Sequence, residues 1–162
     1  MRHILVVDDQ PDVCAFVETA LKEFAHYRVS ASQTADAALP LLDSDRPDLV
    51  LLDAVMPGMP AIEFAHHATQ RRIPLIVMTG HPDMIDTLAR FGWPHIRKPF
   101  RLDQLLMECA ATILECQQNL AMVRAALHRL LDSGVELARL METARRSVEA
   151  SQRLRGDAPS GR

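Results

Sequence analysis

Three runs of consecutive aliphatic residues, Ile4-Leu5-Val6-Val7, Leu49-Val50-Leu51-Leu52 and Leu75-Ile76-Val77-Met78, each break off at a polar residue. A strand with one face in water alternates apolar and polar side chains, because successive residues point to opposite faces. An unbroken aliphatic run requires apolar cover on both faces, as in a parallel sheet sandwiched between helices. A weaker strand over residues 27–30 and a short one from His95 to Arg97 bring the set to five. Between them lie amphipathic stretches of helical length, residues 11–24, 34–42, 61–71 and 83–91. Their starts carry the expected signals: Pro11 in a first turn, Thr34 as an N-cap, and Pro82 ahead of Asp83. Pro40 has no amide hydrogen to donate and ends or kinks the second helix. Strand and helix alternating in this way predict right-handed crossovers and an α/β fold, a doubly wound five-stranded parallel sheet of (βα)5 type.

In an open sheet of this kind, chemistry gathers beyond the carboxyl ends of the strands. The first strand runs into Asp8-Asp9, the third into Asp53, the fourth into Thr79-Gly80 and the fifth into Lys98-Pro99. Three carboxylates, a hydroxyl and an ammonium therefore converge on one edge. An oxygen-only cluster suits a hard cation that keeps several waters, which points to Mg²⁺. A carboxylate beside such a metal, with a lysine and a hydroxyl in reach, is equipped to accept a phosphoryl group, because metal and lysine neutralise the charge on the equatorial oxygens. Each residue alone has a plain structural reading: Asp8-Asp9 as a turn before Pro11, Thr79 as a strand-end hydroxyl, Lys98 as a solvated charge. Five of them, each just past an apolar strand, are not explained that way.

The residues Ile4-Leu5-Val6-Val7-Asp8-Asp9, Asp53-Ala54-Val55-Met56-Pro57-Gly58-Met59, Ile76-Val77-Met78-Thr79-Gly80 and Lys98-Pro99-Phe100 resemble the receiver domain of two-component response regulators, the CheY-like family with a flavodoxin-like fold. The resemblance covers about residues 1–115. It implies that Asp53 is the phosphorylated aspartate, that Asp9 ligates Mg²⁺ directly, and that Asp8 acts mainly through metal-bound water. Val55 would lend its backbone carbonyl to the metal, Thr79 and Lys98 would each contact a phosphoryl oxygen, and the Lys98-Pro99 bond would be cis. The implied phosphodonor is a sensor histidine kinase or a phosphotransfer protein, and the implied activity is limited to Mg²⁺-dependent self-phosphotransfer and autodephosphorylation.

Several positions depart from the family's pattern. Three residues before the lysine, where the family carries a switching Tyr or Phe, stands His95. Either the imidazole substitutes in the switch, adding sensitivity near its ordinary pKa of about 6.5, or the aromatic coupling is weakened. Pro60-Ala61 replaces the usual Asp-Gly and stiffens the start of the following helix. Val55 is apolar and cannot orient a hydrolytic water, whereas His81, two residues after Thr79, is within reach of the site. A haloacid-dehalogenase-like phosphatase also uses a strand-end aspartate, but needs a second carboxylate two residues on as general acid, and Val55 occupies that position. No Gly-rich loop with Lys-Ser or Lys-Thr indicates nucleotide hydrolysis.

A receiver ends after its fifth helix, which starts near Leu102, yet apolar residues continue at 3-4 spacing from Leu102 to Val148. Leu106, Ile113, Leu120 and Leu127 fall on a positions, and Cys109, Cys116, Val123 and Leu130 on d positions; Gly134 is the weak member. Such a register specifies a coiled coil or bundle. It predicts a helical dimerisation or docking extension over 116–153, and a homodimer formed through residues 102–153 in which Cys109 and Cys116 face their mates. Asp132-Ser133-Gly134 is the alternative, a turn that would make a hairpin. Residues 154–162 are expected to be a disordered tail, in which Arg155-Gly156-Asp157 carries no adhesive meaning, and His128 is expected to be a solvated helix residue rather than a phosphotransfer histidine.

Composition excludes other classes. The net charge of −3 and 4 % aromatics, with Phe100 the last aromatic of the chain, speak against nucleic-acid binding, including a helix-turn-helix. Three cysteines in no metal-type spacing and the absence of an uninterrupted apolar run of membrane length predict a cytoplasmic protein with no membrane partner. The expected whole is a stand-alone response regulator. The rivals are a receiver with a linker helix belonging to a larger transcription activator or cyclase, and a phosphate sink without output.

Overall fold

The structure, a computed structural model, describes the backbone of residues 1–156 and the side chains of residues 1–131 together with Arg139 and Glu142. Five strands, β1 (His3–Val7), β2 (Arg28–Ser32), β3 (Leu49–Asp53), β4 (Leu75–Thr79) and β5 (His95–Arg97), pair in parallel in the order β2-β1-β3-β4-β5. The helices are α1 (Pro11–Ala25), α2 (Ala35–Ala38), α3 (Leu41–Ser44), α4 (Ala61–Gln70), α5 (Pro82–Phe91) and α6 (Leu102–Gly156). The doubly wound α/β fold is the one expected from the aliphatic runs.

Those runs are continuous because alternate residues serve two cores. Ile4, Val6, Leu49, Leu51, Ile76 and Met78 meet Val17 and Leu21 of α1 and Leu105, Cys109 and Ile113 of α6. Leu5, Val7, Val50, Leu52 and Val77 meet Ala35, Leu42, Phe64, Ala68 and Leu88 on the opposite face. Each fully buried aliphatic or aromatic side chain contributes about 1.5–3 kcal/mol relative to exposure, so the three central strands hold most of the stability.

Element ends moved where the apolar signal was weak. β2 runs from Arg28 to Ser32 rather than over 27–30; it is an edge strand in which only Val29 is buried, so it lacks the aliphatic density of the others. The second helix splits at Pro40: α2 stops at Ala38 and α3 continues to Ser44, past the expected end at 42. Thr34 is the N-cap of α2, its hydroxyl accepting the Ala37 N–H at 3.2 Å.

α6 corrects one expectation. Its first turns are the receiver's own fifth helix, and Leu105 and Cys109 are 0 % exposed and Ile113 7 %. Cys109 and Ile113 therefore pack in the core of their own chain and are not seam residues facing a mate, so the seam expected over residues 102–153 does not include this first part of α6. Further along, Leu120, Val123, Leu127 and Leu130 are exposed. The backbone stays helical through Asp132-Ser133-Gly134, with no turn there. The chain falls into two compact units, residues 1–117 and 118–162. The side chains of the later seam positions, Leu137, Met141, Ala144 and Val148, lie outside the described residues; of the tail expected over 154–162, residues 154–156 are instead the end of α6, and the rest lies outside the described residues. Among the described residues no helix is long and apolar enough to cross a membrane.

Candidate phosphoryl-acceptor site

Strand order decides which strand-end residues meet. β1 and β3 are neighbours, with Val7 opposite Leu52, so Asp8, one residue beyond β1, stands beside Asp53, the last residue of β3. This is the switch point of the sheet, where β1 has β2 on its other side and a crevice opens beyond the strand ends. Carboxylate oxygens of Asp8, Asp9 and Asp53 lie within 4.8 Å of one another. Asp8 is 0 % exposed, Asp53 5 %, and Asp9 half-buried.

Like charges this close in a desolvated pocket repel, and a positive partner has to compensate them. Lys98, just past β5, supplies it: its Nζ donates to Asp8 Oδ2 at 2.6 Å and to Asp53 Oδ1 at 2.9 Å. Burial pushes the Asp53 carboxyl above its ordinary value; Lys98 pulls it down, and Asp8 and Asp9 push it up again. Burial works against the Lys98 ammonium, but the hydrogen bonds to Asp8 and Asp53 outweigh it and hold this amine above the usual lysine range. Lys98 is thus a fixed positive charge at neutral pH, shared between two carboxylates.

The plain turn reading of Asp8 also holds, since its Oδ1 accepts the Gln10 N–H at 3.0 Å ahead of α1. The two roles use different oxygens. Thr79 ends β4 and is 1 % exposed; its Oγ1 accepts the His81 N–H at 3.0 Å, and its carbonyl accepts the Lys98 N–H at 2.7 Å, tying the exits of β4 and β5 together. The Lys98-Pro99 peptide bond is cis. His95 lies on β5 opposite Val77, half-buried. Val55, two residues past Asp53, exposes its side chain. His81 is exposed at the N-cap of α5.

Three negative charges meet one ammonium here, and every acidic donor is a hard oxygen. That donor set fits Mg²⁺. Two features of the surroundings were not anticipated from the sequence. Asp36 of α2 reaches the loop after Asp53, accepting the Met59 N–H at 3.1 Å. Val13, Phe16, Pro99 and Phe100 line a groove of about 460 Å³ beside Lys98; Phe16, an exposed aromatic on α1, was the residue that could have pointed to it.

Comparison with known proteins agrees with this geometry. Residues 4–110 match the family described as response regulator receiver domain. Response regulator MprA of Mycolicibacterium vanbaalenii is 33 % identical over 116 residues, 68 % of this chain and 50 % of that protein. A Vibrio cholerae protein named probable cyclic di-GMP phosphodiesterase is 41 % identical over 92 residues, 54 % of this chain and 20 % of its own length. Among solved structures, the Vibrio cholerae chemotaxis protein CheY4 aligns with a TM-score of 0.62 at 25 % identity, covering 69 % of this chain and 98 % of that one. The chain spans about half the length of the response regulators it matches and a fifth of the Vibrio cholerae protein. With the acidic pocket, the bridging lysine and the strand order in agreement, the chain belongs to the response regulator receiver family.

Proposed function

We propose that Asp53 accepts a phosphoryl group from a phosphohistidine of a sensor histidine kinase or phosphotransfer protein, with Asp8, Asp9, Asp53 and the backbone carbonyl of Val55 holding Mg²⁺. An Asp53 carboxylate oxygen attacks phosphorus in line, the P–N bond breaks, and the imidazole nitrogen leaves with the bonding pair. Lys98 transfers one hydrogen bond from Asp53 to a phosphoryl oxygen, and the Thr79 hydroxyl donates to another. Mg²⁺ held by these residues would supply positive charge against the charge of the transferring group. His95, in the place of the family's switching aromatic, responds with Thr79. The observation that carries the reading is the Lys98 ammonium between Asp8 and Asp53 at 2.6 and 2.9 Å.

Output runs through the face formed by α5, β5 and α6 and through pairing of α6 with a second copy, in the cytoplasm and without nucleic acid. Exposed Leu120, Val123, Leu127 and Leu130 at successive a and d positions support pairing beyond residue 115. A second reading, a receiver and helix belonging to a longer regulator, is supported by the length of the relatives.

Intact-mass spectrometry after incubation with phosphoramidate and Mg²⁺ tests the chemistry. One phosphoryl adduct is expected on the wild type, none with EDTA and none on Asp53→Ala. Light scattering with and without beryllofluoride and Mg²⁺ tests the output, with a change in dimer behaviour expected for the wild type only. A wild type that takes up no adduct, or an Asp53→Ala variant that does, refutes the reading.

A further inference from the structure

The loop leaving β3 carries a constraint that the transfer chemistry does not account for. At one end it is fixed by the Ala54 N–H, which donates to the Met78 carbonyl at 2.8 Å. At the other, Pro60 stands at the N-cap of α4, its carbonyl accepting the N–H of the fully buried Phe64. Between these ends Gly58 sits at φ +88°, a left-handed conformation, and the next N–H, that of Met59, donates to Asp36 Oδ2. A Cβ on Gly58 would meet that same carboxylate oxygen at 2.6 Å. The side chain of Asp36 is therefore laid against the Gly58 backbone as well as bonded to its neighbour. Asp36 projects from a short but anchored element: Thr34 caps α2, and Ala35 and Ala38 are 0 % exposed. It lies 23 residues from its partner, so the contact ties α2 to the loop after the acceptor and stabilises no local turn.

We propose that Asp36 is a positioning residue for the acceptor site. Its carboxylate holds the Met59 N–H and thereby fixes the loop on which Val55 offers its carbonyl beside Asp53. The proposal rests on the Mg²⁺-dependent acceptor reading. An ordinary role is also open to Asp36, since an acidic residue in the first turn of a helix is favoured by the helix dipole. Substitution separates the two, because asparagine keeps the accepting oxygen and loses the charge.

Isothermal titration of the full chain with MgCl₂ reads the effect without any need for phosphorylation. Loss of this exposed hydrogen bond predicts about two- to fivefold weaker Mg²⁺ binding for Asp36→Ala, while Asp36→Asn stays close to the wild type. In a Gly58→Ala background, where the added methyl group already displaces the carboxylate, Asp36→Ala has little further effect. Three results overturn the proposal: unchanged affinity in Asp36→Ala, an Asp36→Asn variant as weak as Asp36→Ala, or additive losses in the Gly58→Ala background. Failure of the wild type itself to bind Mg²⁺ overturns the acceptor reading beneath it.

Discussion

Replacing Lys98 by methionine keeps an unbranched stem of similar length and removes the charge that compensates the acidic pocket. The ammonium, on a side chain 18 % exposed, bonds to carboxylates whose side chains are 0 % and 7 % exposed. Breaking a buried pair by removing one partner costs about 3–5 kcal/mol, because the remaining charge is left uncompensated. Water has access to Lys98, which sets the expectation at the low end, about 3 kcal/mol at pH 7.5 in metal-free buffer. The pH dependence has a definite sign. Burial already holds Asp53 above its ordinary value while Lys98 pulls it down, so without Lys98 the carboxyl rises further. A carboxyl raised in the folded state binds its proton there first. Its contribution to stability is therefore complete below the unfolded value of about 3.9 and is lost as pH rises through the folded value. The variant regains stability on acidification. Wild-type Lys98, raised in the folded state, contributes fully at every pH below the unfolded lysine value of about 10.4. Urea unfolding followed by circular dichroism at pH 7.5 and pH 5 in EDTA measures the deficit, which is expected to shrink at pH 5. Saturating Mg²⁺ narrows it as well, because a ligand of the folded state adds stability by mass action and the unneutralised pocket binds the cation harder. No deficit at pH 7.5, or the same deficit at both pH values, refutes charge compensation as the role of Lys98.

Burial pushes the Cys109 thiol up to about 12 and Cys14 is raised by the same cause, whereas Cys116 is half-buried at the surface. Maleimide labelling of the native protein is expected at Cys116 alone, and disulfide-linked dimers formed by mild oxidation should persist in Cys109→Ser and vanish in Cys116→Ser. Gly92 ends α5 at φ +67° with no atom within 4 Å of an added Cβ, so Gly92→Ala pays backbone strain alone, about 1 kcal/mol in urea unfolding. Gly80→Ala, with equal room and no positive φ, is the neutral control. Decay of the phosphorylated protein, followed by mass spectrometry, should change in Val55→Asn and His81→Ala; identical half-lives in both variants count against a role for these positions in hydrolysis.

What was legible in the chain was whatever side chains encode by themselves. β1, β3 and β4 showed as aliphatic runs because both of their faces are buried, and Asp8, Asp9, Asp53 and Thr79 showed because each stands at the end of such a strand, while Lys98 showed as the cation just past the short β5. β2 shifted because an edge strand with one buried residue has little apolar pattern to locate it. Asp36 was invisible for a different reason: its partner is a backbone N–H, which every residue but proline carries, so nothing in Met59 announces the bond. The ring contact of Phe16 with Phe100, centroids 6.4 Å apart, likewise joins residues that only the folded sheet brings together.

The heptad register of α6 failed at Cys109 and Ile113 for a reason that bears on how the receiver would signal. A 3-4 spacing of apolar residues lays one stripe along a helix, and the stripe is the same whether it packs on a sheet or on another helix. Periodicity alone therefore assigned Cys109 and Leu120 to one seam. Burial divides them: Cys109 and Ile113 are covered by the strands of their own receiver, while Leu120 and Val123 are 44 % and 65 % exposed. Leaving those residues in water gives up free energy that burial against a second helix would recover. The switch between the two uses of the stripe falls between Ile113 and Leu120, a stretch that includes Cys116. Oxidative crosslinking through Cys116 therefore tests whether the proposed pairing begins where sheet cover ends, and a phosphorylation-dependent change in its rate is the most direct sign that Asp53 and the proposed dimer communicate through α6.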